Sequence, residues 1–201
     1  MTRLAIALAR IVADLHSARR RFALVGGVAI SVRAAPRFTR DLDLAVAVGD
    51  DREAEALVRE MFARGYRLLA QVEQESTGRL ATVRFVAPGS DAGGMVVDLL
   101  FASSGIEEEV VRDAEPVEIV PGVVVPVARR EHLIAMKVLA RDDRRRPQDH
   151  DDLKELLVRA DAAELDRAEL AVELIERRGF ARGKDLVSEL RTLIAEHPRG
   201  V

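Results

Sequence analysis

The chain has 201 residues, 48% of them hydrophobic, a net charge of −3 and no cysteine or tryptophan. That length suits one domain or two small ones, and the missing cysteines exclude disulfides, thiolate zinc sites and a cysteine nucleophile while fitting a reducing, cytoplasmic setting. The charge excludes a polycation, so any nucleic-acid contact must come from local basic patches, and no apolar run reaches the length of a membrane span.

In chain order, residues 2–20 predict an amphipathic helix with Leu4, Leu8, Ile11, Val12 and Leu15 on one stripe, broken by Asp14 and His16 and so packed rather than a signal peptide. Arg21–Val25 predicts a strand entering a Gly26-Gly27 turn, Val28–Arg33 a brief helix closed by Ala35-Pro36, and Asp41–Val48 the next strand. Asp50 or Asp51 caps a helix to about Arg64, which Gly65 ends. Tyr66–Glu73 and Arg79–Ala87 predict strands around Ser76-Thr77-Gly78. Pro88-Gly89-Ser90 and Gly93-Gly94 mark a hairpin loop before the apolar strand Met95–Phe101. A short helix at 106–111 and two β pieces, 117–120 and 123–127, complete this part. Beyond Pro126 the strand signal fades, and helices are expected near 129–142, 148–159, 163–178 and 182–196. The expected architecture is α/β (α+β): a mixed-sheet domain at 1–127 and a helical domain at 128–201 packed against it.

Asp41 and Asp43 lie two apart on a strand and so share a face, near a glycine turn at a helix N-terminus. Such a turn binds phosphate through backbone N–H groups, and paired carboxylates hold Mg²⁺, with Mn²⁺ as the alternative. Asp98 sits in Val96-Val97-Asp98-Leu99-Leu100, where an unpaired charge is expensive, and as a third carboxylate it completes a metal site for phosphoryl transfer. A lone Asp-x-Asp is commonly an ordinary strand-edge feature; the glycine pair and Asp98 tilt the reading to an NTP and its metal. Further on, Lys137 is followed by Asp149 and Asp152, three apart on the next predicted helix and so on one face. Lys137 suits a triphosphate contact, and Asp152 either orients it or acts in catalysis; alone, the pair also fits a surface salt bridge between helices.

Gly26-Gly27, Thr39-x-Asp41-x-Asp43 and the later strand acid resemble the DNA-polymerase-beta-type nucleotidyltransferase superfamily. There the glycine pair more often reads Gly-Ser; here Gly27 has no hydroxyl, and Ser31 lies a helical turn further on. With Lys137-x-x-Ala140-x-x-x-Arg144 and Asp149-x-x-Asp152-Leu153, the likeness narrows to the AbiEii-type nucleotidyltransferase toxins, which include the MenT toxins of mycobacterial toxin–antitoxin pairs, and spans about residues 23–157. The resemblance implies Asp41 and Asp43 as metal ligands, Lys137 on the nucleotide and Asp152 essential for activity. It also implies nucleotide addition to the 3′ acceptor end of tRNA, blocking aminoacylation, and a cognate antitoxin that is kinase-like in the MenT group.

Gly26, Gly27, Ser31, Thr39, Arg40 and Lys137 are the nucleotide-binding candidates. Arg33, Arg37 and Arg40 precede the acidic strand, and Arg141, Arg144, Arg145 and Arg146 sit beside the rear motif; both groups are expected to rim one cleft, though a solvated arginine surface accounts for them equally well. With aromatics at 3%, base stacking is not the main grip. Thr39 shares the face of Asp41, so its phosphorylation would repel a triphosphate; the plain alternative is that it starts the strand and bonds to the glycine loop. His16, His132, His150 and His197 have no metal-ligand spacing. The rival readings are transfer to a small molecule such as an aminoglycoside or to a protein hydroxyl, and a non-catalytic nucleotide-binding partner.

Overall fold

A computed structural model of the chain describes residues 2–74, 77–89, 94–142 and 147–197. Helix α1 (Arg3–Ser17) starts where the Thr2 hydroxyl accepts the Ala5 N–H at 3.2 Å, and it buries Leu8, Ile11 and Leu15 on one stripe. Strand β1 (Phe22–Val25) is buried throughout and passes directly into α2 (Gly26–Arg33). The glycine pair is thus the first turn of the helix rather than a separate turn before it, because Gly26 adopts φ +60° and reverses the chain in one residue. Strand β2 (Asp41–Val46) follows, two residues shorter than expected, and α3 (Asp51–Ala63) begins at Asp50, which accepts the Glu53 N–H at 3.0 Å.

The remaining strands are β3 (Arg67–Glu73), β4 (Leu80–Val86), β5 (Val96–Leu100), β6 (Glu115–Val120) and β7 (Val123–Val127), with α4 (Glu107–Arg112) between β5 and β6. Ser76 of the expected β3–β4 turn, and Ser90 and Gly93 of the expected hairpin loop, lie outside the described residues. Together the strands form one mixed sheet in the order β3-β4-β5-β2-β1-β7-β6. β2 runs antiparallel to β1 and parallel to β5, while β4 runs antiparallel to β5. The register sets Arg84, Asp98, Asp43 and Val25 side by side on four neighbouring strands. On β2 the alternate positions Leu42 and Leu44 are fully buried, each worth about 1.5–3 kcal/mol, which forces the two acids to the opposite face.

The helical part comprises α5 (Arg130–Ala140), α6 (Pro147–Arg159), α7 (Ala162–Arg177) and α8 (Leu186–Glu196). A reciprocal cap between Asp161 and Glu164 opens α7. Asp185 caps α8, which therefore starts four residues later than expected, after Arg182 and Gly183 with positive φ. One hydrophobic cluster runs from Leu24 and Leu44 through Leu133, Ile134 and Val138 to Val172 and Leu190. The loop after β5 is pinned to the helices: a Cβ on Gly105 (φ +76°) would lie 2.5 Å from the Phe180 ring, and the Arg178 guanidinium donates to both Glu109 carboxylate oxygens at 2.7 and 2.9 Å. Among the described residues no helix is long and apolar enough to cross a membrane.

Candidate active site

The acidic centre is assembled by sheet register. Asp41 and Asp43 alternate with the buried Leu42, and Asp98 on β5 lies directly opposite Asp43. One carboxylate oxygen from each of Asp41, Asp43 and Asp98 comes within 4.8 Å of the others. The N-terminus of α2 has no side-chain cap, and the Gly27 N–H is turned instead to the Asp43 carboxylate. Gly26 is required here twice over: its φ is positive, and a Cβ would overlap the Asp43 carboxylate.

Burial, followed by the nearby charges of Asp41 and Asp98, pushes the Asp43 carboxyl up to about 7, against the opposing pull of the Gly27 N–H and Lys137. Three crowded carboxylates are thus left with unneutralised negative charge. A hard oxygen donor set of this kind fits a divalent cation, which would relieve the crowding.

Only one cation touches the triad directly in the described contacts. The Arg84 guanidinium donates to both oxygens of Asp98, at 2.8 and 2.6 Å, from the neighbouring position on β4. Asp98 holds this pair ready, and each of its oxygens retains a lone pair for a further partner. Arg84 itself is half exposed and is held strongly protonated by Asp98 and the other two acids. Thr39 donates its hydroxyl to Asp41 at 2.8 Å. A Cβ on Gly27 would come within 2.7 Å of both the Thr39 hydroxyl and the Arg37 guanidinium, so those two groups fill the space a larger residue at 27 would take.

Across the cavity, α5 and α6 carry a second charged group. The Lys137 ammonium donates to Asp149 at 2.6 Å and lies 2.8 Å from an Asp152 oxygen. The other Asp152 oxygen is 3.0 Å from the Arg37 guanidinium. Two buried acids and two bases thus balance one another, and Asp152 reaches Lys137 and Arg37 together. The cavity between the two groups is about 1220 Å³ and is lined by Gly26, Gly27, Thr39, Arg40, the three acids, Arg84, Lys137 and Asp149 among others.

Several expected positions fall elsewhere. Ser31 does not line the cavity; its hydroxyl donates to the Gly27 carbonyl at 3.0 Å and accepts the Arg37 N–H at 3.2 Å, so it fastens the loop to α2. Arg33 does not rim the cleft: its guanidinium donates to the Val127 and Ala128 carbonyls and pairs with Glu115, tying α2 to β7. Arg141 is likewise absent from the lining, and Arg144, Arg145 and Arg146 lie outside the described residues. Arg37 and Arg40 do line the cavity. Arg84 and Phe38 are lining residues that sequence reasoning passes over; an arginine on the polar face of an alternating strand gives no signal until the strand register is known.

Comparison with known proteins follows the same lines. The family profile described as nucleotidyl transferase AbiEii toxin, type IV toxin–antitoxin system, matches residues 7–199. No curated protein matches the chain. Among solved structures, an antigenic nucleotidyltransferase-like protein from Paracoccidioides brasiliensis is similar at 19% identity and a TM-score of 0.53, covering 92% of this chain and 90% of that one. ANT(2″)-Ia, solved in complex with adenylyl-2″-tobramycin, is similar at 17% identity and a TM-score of 0.55, covering 88% of this chain and 99% of that one. Both likenesses are of fold.

Proposed function

The chain belongs to the AbiEii nucleotidyltransferase toxin family, and we propose that it transfers an NMP from an NTP to the 3′ acceptor end of tRNA, blocking aminoacylation and so translation. The observation that carries this reading is the meeting of Asp41, Asp43 and Asp98 with Lys137, Arg37, Arg40 and Arg84 around one cavity. In the reaction a terminal ribose hydroxyl attacks the α-phosphate in line. The new P–O bond forms as the bond to the β-phosphate breaks, and pyrophosphate leaves.

The residues divide the work. Asp41 and Asp43 are the ligands for Mg²⁺ or Mn²⁺, and Asp98 joins them. When bound, that cation supplies charge neutralisation on the triphosphate and lowers the pKa of the attacking hydroxyl. Asp98, held in place by Arg84, takes the hydroxyl proton. Gly26 and Gly27 keep the space beside the acids open for the phosphates, and the Thr39 hydroxyl, lying against Gly27, stands where the usual serine would act. Lys137 neutralises charge developing on the leaving phosphates, and Asp152 orients it. Arg40 is a further nucleotide contact. The sheet part, 1–127, supplies the metal and phosphate groups, and the helical part, 128–201, supplies Lys137 and closes the cleft.

Family membership brings an antitoxin partner. We propose a kinase-like one that phosphorylates Thr39: the added charge would break the bond to Asp41 and repel the triphosphate from the acids. A Thr39→Ala protein is expected to escape such an antitoxin; full neutralisation of that variant would sink the idea. The setting proposed is the cytoplasm, where tRNA and NTP are found together.

Incubation of the protein with Mg²⁺, total tRNA and each α-³²P-NTP in turn, resolved on a denaturing gel, tests the whole reading. Label on tRNA with one NTP identifies the donor; no label with any NTP, from folded protein, overturns tRNA as acceptor. A small hydroxylated acceptor is the second reading, favoured by the fold likeness to a protein solved with an adenylylated aminoglycoside. Salt separates the two, since tRNA binding weakens steeply as salt rises.

A further inference from the structure

We propose that Phe38 is a stacking surface for a nucleobase at the mouth of the cavity, an inference that rests on the nucleotidyl-transfer reading of the site. The chain has six phenylalanines and one tyrosine. Phe22, Tyr66, Phe85, Phe101 and Phe180 are buried, and Phe62 packs edge-on against Phe85 at 5.9 Å. Phe38 differs from all of these: it is 78% exposed, lines the cavity that holds the three acids, and has the Arg40 guanidinium 5.6 Å from its ring centroid.

The exposed ring stands on a fixed base. Its neighbour Arg37 is anchored by Asp152 at 3.0 Å and by the Ser31 hydroxyl at 3.2 Å, and Thr39 is anchored by Asp41 at 2.8 Å. The backbone on either side is therefore tied to the two charged groups of the site, while the ring between them projects outward. An aromatic face with a cation beside it, next to a phosphate-binding cavity, offers what a nucleobase and its flanking phosphate require. Stacking of this kind accepts any base, because every base has a π face. The base comes either from the NTP or from an unpaired nucleotide at the end of the acceptor strand, and both present the same chemistry.

The absence of tryptophan makes the test direct. A Phe38→Trp protein carries a single tryptophan, whose emission reports stacking. It is titrated with each NTP in Mg²⁺, with a single-stranded oligoribonucleotide of about four nucleotides, and with inorganic tripolyphosphate, which has no base. Quenching by an NTP or by the oligonucleotide, and none by tripolyphosphate, is expected, and the quenching arm identifies the source. In parallel, Phe38→Ala is expected to raise KM for that same component roughly tenfold with kcat largely kept, and Phe38→Tyr to restore it. No quenching by any nucleotide, with transfer kinetics of Phe38→Ala unchanged, overturns stacking and leaves the transferase reading intact. Quenching by the oligonucleotide in a protein whose wild type labels no RNA does the reverse.

Discussion

Two charged clusters face each other across one cavity, and they are built on opposite principles. On the sheet, Asp41, Asp43 and Asp98 crowd together, with Arg84 the one cation in direct contact among the described residues, and the Asp43 carboxyl is pushed up to about 7. On α5 and α6, with Arg37 from the segment before β2, Asp149 and Asp152 meet Lys137 and Arg37 within 2.6–3.0 Å, acid for base. The sheet cluster is electrostatically unfinished and calls for an external cation. The second cluster is matched in charge as folded, so its value lies in where it holds Lys137. Identical residue types thus serve a binding site in one place and a positioning device in the other.

The sharpest way to break this comparison is to remove one acid from each side. Asp41→Ala is expected to reduce nucleotidyl transfer by about a thousandfold or more while the thermal midpoint holds or rises, because the lost charge was repulsive. If transfer survives, the metal assignment is wrong. Asp152→Ala is expected to do the opposite to stability, lowering it by about 3 kcal/mol in denaturant unfolding, because Lys137 and Arg37 lose a shared buried partner. An unchanged midpoint for Asp152→Ala would place the helix cluster among ordinary surface ion pairs.

The acids of the sheet are readable in the chain for a physical reason. A two-residue strand period, glycine and proline punctuation and an apolar run around Asp98 each follow from local chemistry. What joins them is register. Nothing in Leu80–Val86 taken alone says that Arg84 will lie opposite Asp98, since pairing is decided by contacts between strands distant in sequence. The arginines before β2 mislead for a related reason. Arg33, Arg37 and Arg40 look like one patch, but the end of α2 turns Arg33 towards β7 and leaves the other two at the cavity. Phe38 is invisible to pattern because its loop has no period at all.

A smaller effect sharpens the comparison through pH. In the metal-free protein the folded state keeps a proton on Asp43 that the unfolded chain gives up above its ordinary value of 3.8. Stability is therefore expected to fall as pH rises from about 4 to about 7 and to level off above that, by on the order of 2 kcal/mol after allowing for solvent screening. Asp43→Asn is expected to flatten the slope in thermal melts across that window; a slope unaffected by the change would assign it to another group. The least effect concerns Arg84, which competes with a cation for Asp98. Arg84→Gln is expected to tighten Mn²⁺ binding by roughly threefold to tenfold in a direct titration, and weaker binding would instead make Arg84 a support that Asp98 needs.

The seating of Gly105 against Phe180 has a consequence for how the molecule melts. The strand that carries Asp98 runs straight into that contact, and the hydrophobic cluster continues beyond it into the last helix. The sheet and the helices should therefore come apart in a single calorimetric transition, with van't Hoff and calorimetric enthalpies in agreement. Replacing Gly105 with a bulkier residue should split that transition in two, with the helices melting first.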